Sequence, residues 1–172
     1  MAVTMEAIKT LRERTGAGML DCKNALIATD NDVEKAADWL REKGIAKAAK
    51  KAGRIAAEGL TKVAADGNVA VLVEVNSETD FVAKNEQFLA LIDKVVNTLL
   101  ANDVKTNEEA LALPVDGGTM NDLFVNATAT IGEKIVLRRF ERVLKNDGDC
   151  FGQYIHMGGR ISALTVCKDC AD

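Results

Sequence analysis

The spacing of hydrophobic positions changes once along the chain, from a helical period to an alternating one. Over residues 1–44, apolar residues recur three and four positions apart in three short segments, which predicts three helices joined by tight turns. Thr4 is placed to cap the first helix and Gly44 to end the third. Asn31 and Glu34 have the spacing of a capping pair at the start of the third helix. The sequence therefore begins with a predicted small helical bundle.

From residue 55 onward the pattern favours strands that alternate with helices. Two apolar runs flank Asp66-Gly67, a pair typical of a tight turn between antiparallel strands. The second run, residues 69–75, is apolar on both faces, so we expect it to be a central strand. Ser77 is the predicted cap of a helix that starts near Glu78. Helices packed against an antiparallel sheet predict an α+β core.

The remaining elements follow from the same rules. An apolar face predicts a helix from about residue 85 to 101. Thr119 and Gly132 mark the two ends of a later helix, and a short helix is predicted near residues 108–113. Further strands are predicted at residues 135–144, 151–156 and 161–167.

These elements divide the chain into three expected parts. Residues 1–54 are a three-helix bundle with a basic connector, residues 55–147 an α+β core subdomain, and residues 148–172 the start of a second, incomplete core subdomain. In the connector, residues 41–54, six basic residues stand against one acidic residue. Such a run is usually a solvated face; its functional interpretation is a surface for an acidic or phosphate-bearing partner.

Composition excludes several classes of function. The 26 acidic and 22 basic residues give a net charge of -4, which argues against general binding of nucleic acid. An apolar run of about 18 residues would be needed to span a membrane, and none occurs. The N-terminus lacks the basic and apolar pattern of a secretory signal, so we expect a cytoplasmic protein. We find no nucleotide-binding, hydrolase or metalloprotease motif, and expect neither a cofactor nor enzymatic activity.

The four cysteines are sparse for a chain of this length. A disulfide framework needs a higher density of cysteines, so we expect free thiols at Cys22, Cys150, Cys167 and Cys170. The alternative is a small zinc or redox module that uses His156 with the last three of these cysteines. Structural zinc sites usually have two tight ligand pairs, and only one C-x-x-C pair is present, which makes that alternative the weaker one.

Phe81 lies just past the predicted central strand, in the segment 77–86. An aromatic residue at such an edge either fills the core or anchors a partner; composition alone favours the core. Two glycine-marked loops, residues 131–133 and 156–160, are predicted to reach the same edge of the sheet if the hairpins run antiparallel. Loops without bulky side chains let another backbone approach closely.

Four motifs make the sequence similar to the elongation factor Ts family over nearly all of its 172 residues. The motifs are residues 11–23, Thr79-Asp80-Phe81-Val82-Ala83-Lys84, Ile131-Gly132-Glu133 followed by Arg138-Arg139, and Tyr154-Ile155-His156 followed by Gly158-Gly159-Arg160-Ile161. The resemblance implies a bundle like a ubiquitin-associated domain, followed by an α+β core. Leu20 departs mildly from the pattern, since a second Met is common there. Family members normally continue through a second half of the core, often with a helical dimerisation insertion, so dimerisation is left open.

The resemblance also implies a function. It implies a guanine-nucleotide exchange factor that binds the translational GTPase elongation factor Tu and promotes GDP release by disturbing its magnesium and phosphate site. The implied partner-contacting residues are Arg12, Met19, Leu20 and Lys23 on the bundle, Lys51 on the connector, and Asp80, Phe81, Ile131, Gly132 and His156 on the core. Asp80 and Phe81 are expected to push between helices near the partner's magnesium site, so Phe81 should be at least partly exposed. No bond is made or broken in this activity, and no membrane or nucleic acid takes part.

A helical adaptor is the second hypothesis. In it the bundle binds other proteins without exchange activity, and the core is merely structural. It gives no role to Asp80 and Phe81.

Overall fold

The segments with a helical hydrophobic period form α-helices. In the computed structural model, which describes residues 3–170, they are α1 (Met5–Thr15), α2 (Met19–Ala28), α3 (Val33–Lys51), α4 (Glu86–Ala101), α5 (Asn107–Leu111) and α6 (Met120–Ile131). Within these residues no helix combines the length and the apolar composition that crossing a bilayer requires. Helices α1, α2 and α3 pack around their own small core, in which Leu11, Cys22, Ala25, Leu26 and Ala36 are fully buried.

In the part of the chain that the structure describes, seven strands make up three antiparallel sheets. The strands are β1 (Glu58–Asp66), β2 (Val69–Ser77), β3 (Pro114–Val115), β4 (Gly118–Thr119), β5 (Val136–Leu144), β6 (Cys150–His156) and β7 (Ile161–Cys167). The main sheet has the order β1-β2-β5, so β2 is central as predicted, while β3-β4 and β6-β7 form separate hairpins. The α+β class with an antiparallel sheet is confirmed.

The core lies between the main sheet and helices α4 and α6. The apolar face of α4 supplies the side chains Phe88, Ile92, Val95, Val96 and Leu99, all nearly or fully buried, as its period predicted. Strand β2 faces them with Val71, Val73 and Val75. Thr119 caps α6 in a reciprocal hydrogen-bonded box with Asp122, and Gly132 ends it in the left-handed conformation, both as predicted. This core holds the sheet edge that carries the candidate site.

Helix α3 begins one residue later than the predicted capping pair. Asp32 is its cap, and the Asp32 carboxylate accepts a hydrogen bond from the backbone N of Lys35 at 3.0 Å. Asn31 has φ 66°, the left-handed conformation of a turn residue, and an N-cap normally has an extended backbone. The prediction that Asn31 caps this helix is therefore wrong.

Helix α3 also passes through its predicted end. Gly44 is buried where α3 packs on α6, and a Cβ at this position would lie 3.5 Å from the Cβ of Ala129. The glycine therefore allows close packing of two helices rather than a turn. The helix continues to Lys51, so most of the basic connector is the last part of α3.

Two turns of the core differ from their predictions. The β1–β2 turn consists of Gly67 and Asn68, one residue later than expected, with Gly67 at φ 54°. Ser77 caps no helix; its hydroxyl donates to the carbonyl of Thr79 at 3.0 Å within a turn. A single 3-10 turn follows at Val82–Lys84, and α4 begins only after Asn85, whose side chain accepts from two backbone N–H groups of the first turn.

A disulfide closes the base of the β6-β7 hairpin. It joins Cys150 to Cys170, so the prediction of free thiols is wrong for these two residues, whereas Cys22 and Cys167 are free. The chain turns back after β7, and the backbone N of Cys170 donates to the carbonyl of Gly148 at 2.9 Å. This turn leaves 6.0 Å between the two Cα atoms, a separation that a disulfide can bridge.

Candidate protein-binding site

The first candidate surface lies on the helical bundle. It consists of Arg12, Met19, Leu20 and Lys23, all of them exposed, and is called the bundle surface below. Met19 and Leu20, 52% and 69% exposed, form the first turn of α2. Large apolar side chains between basic ones are suited to a partner that offers an apolar patch with an acidic rim.

The second candidate surface centres on Phe81. Its side chain is 83% exposed, which confirms the expectation of exposure and contradicts the preference for the core from composition. The next residue, Val82, is 6% exposed and belongs to the core cluster. Because Val82 fills the space beneath the turn, Phe81 and the exposed Asp80 remain in solvent.

The carboxylate of Glu133 holds the segment that presents Phe81. One oxygen accepts from the backbone N of Glu78 at 3.1 Å and from the backbone N of Thr79 at 2.9 Å. The other oxygen accepts from the Thr79 hydroxyl. Three hydrogen bonds donated to one charged group fix the start of the turn that ends at Phe81, since bonds to charged groups are the stronger ones.

The side chain of Glu78 in turn contacts the loop that carries Glu133. Its carboxylate accepts from the backbone N of Lys134 at 2.6 Å and from Arg54 at 3.2 and 3.3 Å. The hydrogen bond from Lys134 is the main reason that the pKa of Glu78 is lowered, and Arg54 adds to the effect. The turn 78–81 and the loop 132–134 thus satisfy each other's backbone groups.

The end of α3 is attached to the same loop. The ammonium group of Lys51 donates to the carbonyl of Gly132. The ammonium group of Lys134 donates to the carbonyls of Ala52 at 2.6 Å and Arg54 at 2.9 Å, just after the end of α3. Lys51, expected from the resemblance to contact a partner, therefore also joins the bundle's last helix to the loop beside Phe81.

The second glycine-marked loop reaches the same edge of the sheet. Arg160 lies 3.5 Å from the carboxylate of Asp80 and 3.8 Å from that of Glu58. Gly159 is buried with φ 100°, and its carbonyl accepts from the hydroxyl of Thr61 at 2.7 Å. A side chain at Gly159 would meet the backbone of β1, so a glycine is required for this approach.

The other core residues implied by the resemblance lie on these loops. Ile131 is half-buried, whereas Gly132 and His156 are exposed. The His156 ring stacks on Tyr154, with 5.8 Å between ring centroids, and its Nδ1 lies 3.0 Å from the Tyr154 hydroxyl. The core surface, as named below, consists of Asp80, Phe81, Ile131, Gly132 and His156.

Sequence reasoning did not predict which residues hold this surface in place, although Glu133 and Arg160 belong to the family motifs. The residues that hold it are Arg54, Glu78, Glu133, Lys134 and Arg160. Their partners are backbone groups, carboxylates and one hydroxyl between 24 and 82 positions away in the chain, apart from the Glu58 carboxylate, which is farther from Arg160 in the sequence. An acidic residue directly after a helix-ending glycine is the one local signal, and it is too common to identify a site.

The zinc alternative is not supported by the structure. Cys150 and His156 are at opposite ends of β6, about 20 Å apart for an extended strand of this length. Cys150 and Cys170 are joined in the disulfide. In the part of the chain that the structure describes, no three His, Cys, Asp or Glu side chains are grouped to hold a metal ion.

Two family models match the chain on either side of β1 and β2. The model described as "Elongation factor TS" matches residues 78–172, more than half of the chain. The model described as "Elongation factor Ts, mitochondrial, N-terminal" matches residues 1–53. The first match contains all of the core surface, and the second contains the bundle surface and Lys51. The resemblance drawn from the four motifs is confirmed.

Proposed function

The chain belongs to the elongation factor Ts family, which gives it a role in translation elongation, and from this premise we propose that it binds the GTPase elongation factor Tu and promotes its release of GDP. The observation that carries the proposal is the presentation of Phe81. A large aromatic ring is 83% exposed, on a turn that donates three hydrogen bonds to the carboxylate of Glu133. Exposed aromatic anchors of this kind are typical centres of protein interfaces.

The core surface acts as a wedge in this proposal. Phe81 enters an apolar space between helices of the GTPase, and the Asp80 carboxylate comes near the magnesium and phosphate site. A negative charge there competes for the cation and repels the phosphates. The nucleotide-free GTPase therefore binds the wedge more tightly than the GDP-bound form, and only this difference in affinity can expel the nucleotide.

The bundle surface supplies a second contact. Met19 and Leu20 bury apolar area against the GTPase domain, while Arg12 and Lys23 lie at the rim, where charges mainly influence the association rate. No covalent bond changes in either contact, so the protein is a binding factor rather than an enzyme. The proposed place of action is the cytoplasm, where it meets the translating ribosome's factors.

The release of labelled GDP from elongation factor Tu tests the proposal. The wild-type chain should accelerate release, and Phe81→Ala should lower this acceleration by about 30-fold if the ring contributes about 2 kcal/mol at the interface. Leu144→Ala is the matched control, because Leu144 is 63% exposed but pairs with Val69 at the opposite end of β2.

Two results would argue against this function. The wild-type chain could bind the GTPase through the bundle surface without changing GDP release, which would favour the adaptor hypothesis. Alternatively, Phe81→Ala and Leu144→Ala could have the same activity, which would remove Phe81 from the contact surface.

A further inference from the structure

Three cysteines lie at the base of the β6-β7 hairpin, outside the two surfaces proposed above to bind the GTPase. Cys150 and Cys167 are direct partners in the antiparallel register, so their side chains project from the same face of the hairpin. Cys150 is bonded to Cys170, while Cys167 is exposed and free. An accessible thiol beside a disulfide is the arrangement that thiol–disulfide exchange requires.

We propose that Cys150, Cys167 and Cys170 form a thiol–disulfide exchange site in which Cys150 bonds alternately to Cys170 and to Cys167. Direct partners in an antiparallel pair have Cα atoms about 4.5–5.5 Å apart, and the Cys150–Cys170 separation is 6.0 Å. Both distances lie within the range that a disulfide can bridge. The two disulfides close loops of similar length, so neither has a large entropic advantage.

The exchange conserves electrons and needs no oxidant. Cys167 loses its proton to water, and its thiolate attacks the sulfur of Cys150. The Cys150–Cys170 bond breaks as the Cys150–Cys167 bond forms, and the electron pair leaves on Cys170, which then takes up a proton. When an oxidised small-molecule disulfide of the glutathione class is present, the free thiol attacks it instead, which forms a mixed disulfide and releases one small thiol.

The thiol–disulfide exchange removes the covalent attachment of the segment after β7 to Cys150. With Cys170 released, the hydrogen bonds of residues 169 and 170 to Asp149 and Gly148 lose their covalent support. The strands β6 and β7 stay cross-linked through Cys150 and Cys167. The site therefore reacts with small thiols and disulfides at one end of the hairpin. It does not depend on the nucleotide-exchange activity proposed for the core surface.

Tryptic mapping can read the pairing directly, because cleavage after Lys145, Arg160 and Lys168 places each of the three cysteines in its own peptide. The oxidised full chain is incubated at about pH 8, where thiolates are populated. Free thiols are then blocked, and the digest is analysed by mass spectrometry. We expect both linkages of Cys150, in amounts within about tenfold of each other, and a mixed disulfide when oxidised glutathione is added.

Two variants make the outcome decisive. Cys167→Ser should leave only the Cys150–Cys170 linkage and lose the exchange, while Cys22→Ser, a change at a buried thiol in the bundle, should leave the mapping unchanged. Equal urea midpoints would show that Cys167→Ser is folded. The proposal is overturned if the wild-type chain keeps only the Cys150–Cys170 linkage, with or without oxidised glutathione, or if Cys150 is found only as a free thiol.

Discussion

Removal of the Glu133 carboxylate tests whether the turn at Phe81 is held in place by the loop beside it. Glu133→Ala deletes three hydrogen bonds, two from backbone N–H groups and one from the Thr79 hydroxyl. The segment is only half-buried, so water replaces the lost acceptor. We therefore expect the change to open the turn locally and to lower the free energy of global unfolding by only about 1 kcal/mol.

The size of the local effect follows from the bonds that are lost. A hydrogen bond to a charged group contributes about 1.5–3 kcal/mol when buried, and three bonds at a solvated site together stabilise the closed turn by about 2–3 kcal/mol. Their loss raises the open population about 30- to 150-fold. If the closed turn then makes up between a half and a tenth of the molecules, the apparent affinity for the GTPase falls about 2- to 10-fold.

Two measurements follow this change. Amide hydrogen exchange at Glu78 and Thr79 should speed up in Glu133→Ala without any partner present. In the GDP-release assay, the concentration for half-maximal effect should rise while the maximal rate is kept, because a saturating partner selects the closed turn. Glu133→Gln keeps an acceptor of the same shape and should show a smaller effect.

A control carboxylate separates local positioning from general damage. Glu109 accepts from the backbone N of Lys105 at 2.8 Å and of Thr106 at 3.2 Å at the start of α5, so Glu109→Ala removes similar bonds elsewhere. Its GDP-release curve should match the wild type. The reasoning is refuted if Glu133→Ala leaves amide exchange at Glu78 and Thr79 unchanged, or if it lowers release equally in wild-type and Phe81→Ala backgrounds.

Four further substitutions have expected outcomes. Gly159→Ala should lower the free energy of unfolding by about 2 kcal/mol or more, measured in urea, because its Cβ would lie 2.7 Å from a backbone oxygen of β1 at φ 100°; an unchanged midpoint would contradict this. Lys50→Ala should slow association with the GTPase at low salt and not at high salt. Lys51→Ala should in addition speed dissociation, because it removes the hydrogen bond to the carbonyl of Gly132. Equal association and dissociation rates for the two variants would contradict a role of this hydrogen bond in binding. Because the pKa of Glu78 is lowered in the folded protein, its contribution to stability is complete above its unfolded pKa of about 4.3 and is lost as the pH falls through the lower folded value. In Glu78→Gln, the free energy of unfolding should therefore decrease less steeply with falling pH at the acid end. A dependence on pH parallel to that of the wild type would refute this.

Elements whose signals are local were predictable from the sequence. Thr4 and Thr119 begin α1 and α6, and Gly132 ends α6, because a cap acts within one turn of its own helix. The long apolar face of α4 was equally readable, since 16 residues repeat the helical period several times. The family motifs also indicated the segment that carries Phe81.

The errors occurred where a distant part of the chain decides the local structure. Gly44 reads as a helix end, yet packing against α6 keeps α3 continuous. Cys150 and Cys170 read as free thiols, and only the turn after β7 brings them together. Glu133 belongs to one of the family motifs, but its role in holding the turn could not be predicted, because its three hydrogen-bond donors lie 54 and 55 positions earlier.

The unbroken course of α3 has a consequence for the thermodynamics of association. Its 19 residues extend about 28 Å, from the bundle core to the hydrogen bonds beside Phe81, with no flexible linker between the two surfaces. A partner that binds both surfaces therefore loses translational and rotational freedom once, without the added conformational entropy of ordering two tethered modules. The same rigidity limits the partners to those that present both complementary sites at one fixed separation.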